Sequence, residues 1–487
     1  MLCVLLKPGR YTANFFVAGW CAAAWLAIGE QQAWAEDWEI HPSISTYESF
    51  TSNAGLDPPG KEHSDFVTTV SPGIEVDRKG PRLILDLSYN LDAILYAREH
   101  KNDEVQQRLR FDSRATLIPE LLFLDTNAAI AQQPKRSERP SSGSRLTTST
   151  NEASVYTYRL SPSLHNHFGS FADSELTYTF GQVFGKGFDD TTIQRLDGSL
   201  TSGSRFRRLV WALAENAAYS KSSRSVSDVY GAASAEYHFN RIMALVGSLG
   251  YERISDSTLD DEPDGPVGTA GVRLTPGPRT SLEVLYNHRF DSNFVTGKLS
   301  YLIDAQSRIG ASYTERVETS PLAFVDNLDF LKRDETGAFI DERTERLFRL
   351  DDTTFGLQDN GFRLKTFNLS MHWVRGRNTW DALAYHEQRT VDALDEHDTA
   401  YGANLTWAHQ LRETTSFSIT ARYRHETFDD TAASEKVQLV GAGAALVENL
   451  SETLDGVLAV NFTKQFSDEP ADKFTETVVS LGLIKRF

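Results

Sequence analysis

The chain has 487 residues, with 49 Lys and Arg against 67 Asp and Glu, and a formal net charge of −18. So acidic a balance argues against nucleic acid as a partner, because a phosphate backbone is bound by cations. A soluble protein of this length would divide into about three domains, yet no composition break or core pattern divides it.

Lys7 and Arg10 precede an apolar run over 15–28, and Ala33-Trp34-Ala35 before Glu36 has the small-x-small form of a signal-peptidase site. Residues 1–35 therefore read as a secretory signal peptide, with the mature chain over 36–487. The run holds about 14 residues, short of the roughly 20 that span a bilayer. Trp20 stands where lipoprotein processing at Cys21 would want a small residue. Cys3 and Cys21, the two cysteines, both precede Glu36. The mature chain then offers no disulfide, no thiolate metal site and no cysteine nucleophile.

After the leader, residues 38–50 alternate apolar and polar, and a Gly- and Pro-rich loop follows over 53–65. Strands over 66–77 and 83–97 flank the turn Arg78-Lys79-Gly80-Pro81. In the second, Leu83, Leu85, Leu87, Tyr89, Leu91, Ala93 and Leu95 share one face, and Asp86, Ser88, Asn90 and Asp92 the other. Such length and strict period suit a tilted bilayer span better than the five or six residues usual in soluble sheets.

Strands are expected at 105–116, 121–132, 155–164 and 175–184, with a polar loop at 134–152. A weak strand at 191–200 rests mainly on in-out parity. Further strands follow over 209–219, 229–239, 243–251, 268–274, 282–288, 295–303 and 308–316. Residues 317–361 break the rhythm and form a long extracellular loop or plug-like insertion. Within them Phe324, Val325, Leu328 and Leu331, and Leu347 and Leu350 with Thr344 upstream, have helical spacing. The segment could cap a barrel, fold into its lumen or lie on the surface. Strands over 367–373, 380–389, 401–407, 417–426, 437–447, 454–466 and 474–487 complete the set.

No stretch after residue 35 approaches a helical span, and low hydropathy is what alternating strands produce. Short and long connections alternate, as when one barrel end faces the periplasm and the other the outside. The pattern is all-β: a transmembrane antiparallel up-and-down barrel of about 22 strands, with 18 or 20 as alternatives and both termini periplasmic. Trp211, Trp373, Trp380, Trp407, Tyr219 and Tyr423 near strand ends suit interfacial girdles. Val479, Leu481, Leu483 and Phe487 give the final strand an apolar face and a terminal aromatic. That ending resembles the closing strand of bacterial outer-membrane barrels, which the barrel-assembly machinery reads. Lys485 departs from the pattern and is expected to snorkel near the periplasmic interface.

Little in the sequence carries chemistry. There is no Gly-x-Ser-x-Gly, His-Glu-x-x-His or Walker loop, and His425 and Glu426 are adjacent, hence on opposite faces. His165 and His167 share a face at a turn, which suits a solvated hairpin better than a metal site. We expect no catalytic, cofactor or metal site. Arg208, Arg422, Arg424, Asp86 and Asp92 are inward by parity, as are Asp455 and Glu283, and are the lumen-lining candidates. They either brace the wall as ion pairs or line a path for a charged or hydroxylated polymer.

Residues 202–211 (Ser-Gly-Ser-Arg-Phe-Arg-Arg-Leu-Val-Trp), Gly250-Tyr251-Glu252-Arg253, Leu274-Thr275-Pro276-Gly277-Pro278-Arg279-Thr280 and Ala311-Ser312-Tyr313-Thr314-Glu315 carry a resemblance. They resemble the outer-membrane β-barrel proteins associated with the PEP-CTERM system of exopolysaccharide-producing Gram-negative bacteria. Where that family has Trp-x-Pro, this chain has Leu274-Thr275-Pro276. The resemblance implies a non-enzymatic barrel in exopolysaccharide export or biofilm and cell-surface assembly, with outer-membrane lipid, polysaccharide or export components as partners. A porin-type channel for small solutes and a barrel enzyme acting on envelope lipid or protein are the alternatives.

Overall fold

The structure, a computed structural model, describes residues 38–487 apart from 136–138, 140–150, 187–188, 224, 257–263, 290–291, 319–324, 326–327, 329–330, 334–338, 342–361, 392–395 and 431–432. The expected leader lies outside the described residues.

One antiparallel sheet of 22 strands holds most of the described residues. Its first half comprises β1 (Trp38–Thr51), β2 (Asp65–Lys79), β3 (Leu83–Tyr96), β4 (Glu104–Ile118), β5 (Leu122–Pro134), β6 (Glu152–Phe168), β7 (Ala172–Gly185), β8 (Thr191–Ser202), β9 (Leu209–Lys221), β10 (Ser225–His238) and β11 (Met243–Asp256). There follow β12 (Asp264–Gly277), β13 (Thr280–Arg289), β14 (Ser292–Leu302) and β15 (Arg308–Glu318). A separate hairpin, β16 (Leu331–Arg333) with β17 (Phe339–Asp341), interrupts the sequence. The wall resumes with β18 (Phe362–Arg375), β19 (Asn378–Val391), β20 (Glu396–Gln410), β21 (Thr415–Asp430), β22 (Ala433–Ser451), β23 (Leu454–Ser467) and β24 (Phe474–Arg486). Each strand pairs with its sequence neighbour, β15 with β18, and β24 closes on β1. The strand number and closure match the expectation, including the weak strand now seen as β8.

Connections alternate as expected. Residues 80–82, 119–121, 169–171, 278–279, 376–377 and 452–453 turn tightly at the end that carries both termini. Gly169 and Gly376 have φ of 58° and 60° there, a left-handed conformation that favours glycine. Register shifts occur at this rim too, between Thr116 and Ile118, Leu274 and Gly277, and Asn449 and Ser451, where bulges are common in barrels. Residues 52–64, 135–151 and 319–361 connect at the opposite, extracellular end.

Register fixes the two faces. The outward row of β11 leaves Leu249 78% exposed, and that of β24 leaves Leu481 64% exposed. Exposed leucines repeated around a closed wall need hydrocarbon, not water, against them. The barrel therefore sits in the bacterial outer membrane. Aromatic clusters mark the periplasmic interface, Phe206 and Phe171 lying 5.7 and 5.8 Å from Trp211, with Trp380 stacked on Trp407 at 5.6 Å. Lys485 reaches the hydroxyl of Thr453 in the last periplasmic turn at 2.5 Å, as its expected snorkelling requires. With strands about 4.8 Å apart and tilted by ~40°, 22 strands give a backbone diameter on the order of 40 Å.

The closing seam is bonded on both edges. Ser49 Oγ donates to Ser480 Oγ at 2.9 Å, and Thr51 Oγ1 donates to Glu476 Oε1 at 2.9 Å. The Phe487 N–H donates to the carbonyl of Pro42 at 2.9 Å. Opposite Gly482, the ring of Tyr47 occupies the space that a Cβ would need.

The barrel lumen as candidate functional site

Inward rows carry the polar chemistry, because alternation sends every second side chain into the lumen. Many inward cations are held by a carboxylate on the same or a neighbouring strand. Arg108 donates to Asp92 from Nε and Nη2 at 2.9 and 3.1 Å, a bidentate fork. Arg389 donates to Asp398 at 2.8 and 2.5 Å, and Arg289 to Glu252 at 2.7 and 2.5 Å. Arg273 bridges two acids, bonding Glu283 at 2.6 Å and also Glu236. Arg195 bonds Asp197 at 2.9 Å, and Arg486 bonds Asp455 at 2.5 Å.

Of the sequence candidates, Asp86, Asp92, Arg422 and Arg424 line the lumen. Asp86 lies in register with Asp77 on one side and Asp112 on the other. Arg422 donates to Thr463 Oγ1 at 3.2 Å, and its chain crosses the space beside Gly441. Arg424 Nε lies 3.4 Å from Glu426, whose side chain is fully buried. Asp455 and Glu283 also face inward, within the pairs above.

Arg208 stands at the rim, exposed in the periplasmic turn 203–208 one residue before β9 begins at Leu209, and its carbonyl accepts the His238 N–H at 2.8 Å. The candidates do not converge on one point. Asp86 and Asp92 share β3, and Arg422 and Arg424 share β21. His165 and His167 lie at the periplasmic end of β6, longer than expected, facing Glu175 at 3.6 Å and Asp173. His425 and Glu426 point to opposite faces, as adjacency requires.

The lumen is not uniform along its axis. Near the extracellular end the inner wall is buried: Tyr96, Gln133, Ile193, Glu426, Gln465 and Glu476 are each 2% exposed or less. Towards the periplasm, inward groups such as His41, Asp86, Asp112, Glu283 and Lys298 are half-buried or exposed. Asp455, held by Arg486, is a buried exception at that end.

Extracellular connections supply part of the cover. Ala54 and Leu56 are buried, and Ala54 packs on the inward Val67, Ile94 and Tyr96. Val325 seats in a socket of Val155, Val183 and Ile193. Its methyl groups lie 3.0 and 3.1 Å from where a Cβ on Gly181 would stand. Val325 and Leu328 are helical and buried, as their spacing predicts, and they belong to the insertion that folds inward at this point. Leu331, expected on the same helix, opens β16 instead. Phe324, Thr344, Leu347 and Leu350 lie outside the described residues.

Which inward charges pair with which, and the Val325 socket, are the features that the sequence does not show. A hairpin signal was available for one pair: Arg389 and Asp398 are placed symmetrically about the connection 392–395, and such residues meet once the register is set.

No protein-family model and no curated protein matches the chain. Solved structures do. The siderophore receptor PirA from Acinetobacter baumannii superposes with a TM-score of 0.52 at 8% identity, covering 92% of this chain and 80% of that one. The FrpB iron transporter from Neisseria meningitidis, F5-1 variant, gives 0.51 at 13% identity, covering 93% and 82%. The ferric-catecholate import receptor Fiu from E. coli, open form, gives 0.51 at 10% identity, covering 94% and 82%. What this chain has in common with these receptors and transporters is the fold, a 22-strand outer-membrane barrel.

Proposed function

We propose that the chain is a channel-type outer-membrane barrel that passes hydrophilic solutes, with its extracellular mouth closed in this conformation. The observation that carries this reading is the inner wall, hydrophilic and charged around the circumference, its described residues buried near the extracellular end and half-buried or exposed towards the periplasm. Side chains alone cannot fill a lumen of this width. The kinship of fold with receptors and transporters points the same way. Among the described residues inward carboxylates outnumber inward cations, with Glu39, Glu75, Asp77 and Glu104 beside those named above. Such a lining favours cations over anions.

Planar-bilayer recording tests the reading. Wild-type barrels are expected to conduct rarely, with a reversal potential of cation selectivity, and Val325→Asp barrels to open far more often. Silence from both, with folding verified by heat-modifiable gel mobility, would overturn it.

A second reading, exopolysaccharide export, is favoured by the inward groups that stay half-buried or exposed towards the periplasm, the side from which an export cargo would arrive. It rests on the family resemblance of the turn and strand motifs. Export predicts that polysaccharide added on the periplasmic side blocks the current and that the same polymer outside does not. A current indifferent to polysaccharide on either side removes export and leaves the solute channel.

A further inference from the structure

Glu215 stands on the wrong face. It is the seventh residue of β9, midway between the periplasmic Trp211 and the extracellular Tyr219, and it belongs to the outward row of Leu213 and Ala217. Its inward neighbour Asn216 bonds Asp197 across the lumen wall at 2.6 Å, which fixes the parity. Glu215 is exposed to the hydrocarbon at mid-depth. An acidic group there costs free energy unless something polar meets it, and an ionisable residue inside a membrane is a functional signal by default.

The surface around it is hollow. Glu215 lies in register between Gly198 on β8 and Gly231 on β10. A Cβ at Gly231 would meet nothing within 4 Å, and one at Gly198 nothing closer than 3.8 Å. Ala233 on β10 is the next small outward residue, and the wall rises again on β11, where Leu249 and Tyr251 stand opposite Ala233 and Gly231. Small residues let two backbones approach closely in lipid.

Depth then selects the occupant. Two copies of an outer-membrane barrel insert in the same orientation, so a mid-depth residue of one meets mid-depth residues of the other. Among the described residues, another outward acid, Glu315 on β15, is held by Arg363 and Lys365 at 3.9 Å each, whereas no cation stands in the outward rows of β8, β9 or β10 at the level of Glu215. A two-fold axis along the membrane normal beside β9 brings each Glu215 to its own counterpart. Two carboxyl groups facing each other in hydrocarbon hydrogen-bond as a pair, and each supplies the polar partner the other lacks. Two convex walls touch only along the strands beside the axis, here β8 to β10, where Gly198, Gly231 and Ala233 leave room for close approach. We infer that the β8–β10 face is the core of a homodimer interface in the plane of the membrane, centred on Glu215.

Disulfide trapping in membranes tests this. With Cys3 and Cys21 changed to Ser, single-cysteine chains Glu215→Cys and Ala233→Cys are oxidised beside Ala403→Cys, an outward mid-depth control on the distant β20. The expected result is several-fold more covalent dimer at 215 and 233 than at 403. Equal, background-level trapping at all three positions in folded barrels would overturn the proposal, as would an adduct of a mass other than twice the chain. Should Glu215→Cys fail to fold, Ala217→Cys and Ala233→Cys carry the same comparison. Glu215→Leu reads the carboxyl itself: in lipid nanodiscs it is expected to raise the monomer fraction, whereas Glu215→Gln, which can still hydrogen-bond to its counterpart, keeps the dimer. An unchanged monomer fraction in Glu215→Leu sinks the pairing.

Discussion

The extracellular and periplasmic halves of the lumen are built from the same strands, yet they are different media. Arg389 and Asp398, in the outer half, have side chains 9% and 6% exposed, while Arg110 and Asp112, in the inner half, are 19% and 23% exposed. Both pairs are Arg with Asp on a polar wall. Burial, set by what folds over the mouth, makes the first a structural element and the second a part of the solvated lining.

The largest effect separating the two halves should come from the ion pairs. Arg389→Ala strands Asp398 in a buried site and is expected to cost about 3–5 kcal/mol. Arg110→Ala, in the wetter half, should cost about 1 kcal/mol or less. Urea midpoints of the heat-modifiable gel shift measure both, and equal losses would dissolve the distinction. Next comes the Val325 socket. Gly181→Leu fills the space that the Val325 methyl groups occupy, so it should dislodge the insertion and raise open probability in bilayers while leaving the barrel folded.

The smallest effect lies at the periplasmic rim, where no buried half intervenes. The Gln306 N–H donates to Asp304 at 2.8 Å and holds that carboxyl below the usual carboxylate range. A depressed folded value means the contribution is present above the unfolded value of about 3.9 and is lost as pH falls through the folded one. Asp304→Ala should therefore unfold slightly earlier than wild type at neutral pH, with the gap closing in acid. A gap that persists at low pH would point to a steric cause.

Much of the architecture could be read from the sequence because a bilayer enforces it residue by residue. Leu83 to Leu95 show their period without any knowledge of neighbours, and parity alone demanded the weakly patterned β8. The lumen was legible only as a set of inward positions. That Asp92 meets Arg108 depends on the register of β3 against β4, which depends on turn geometry. The inward seat of Val325 was open among three outcomes, because helical spacing tells which residues share a side but not what that side will meet.

The seam between Tyr47 and Gly482 carries a kinetic consequence. Ser49 and Ser480, bonded across it, are 431 residues apart in the chain. Closing so long a loop costs entropy that grows with the logarithm of its length, roughly 5 kcal/mol before a constant. Until the last strand arrives, the growing sheet has two free edges that could pair with any other chain. A bulkier residue at position 482 would leave those edges open for longer. The expected casualty is yield rather than equilibrium stability: proteolysed or aggregated intermediates, and a smaller number of finished barrels that behave normally.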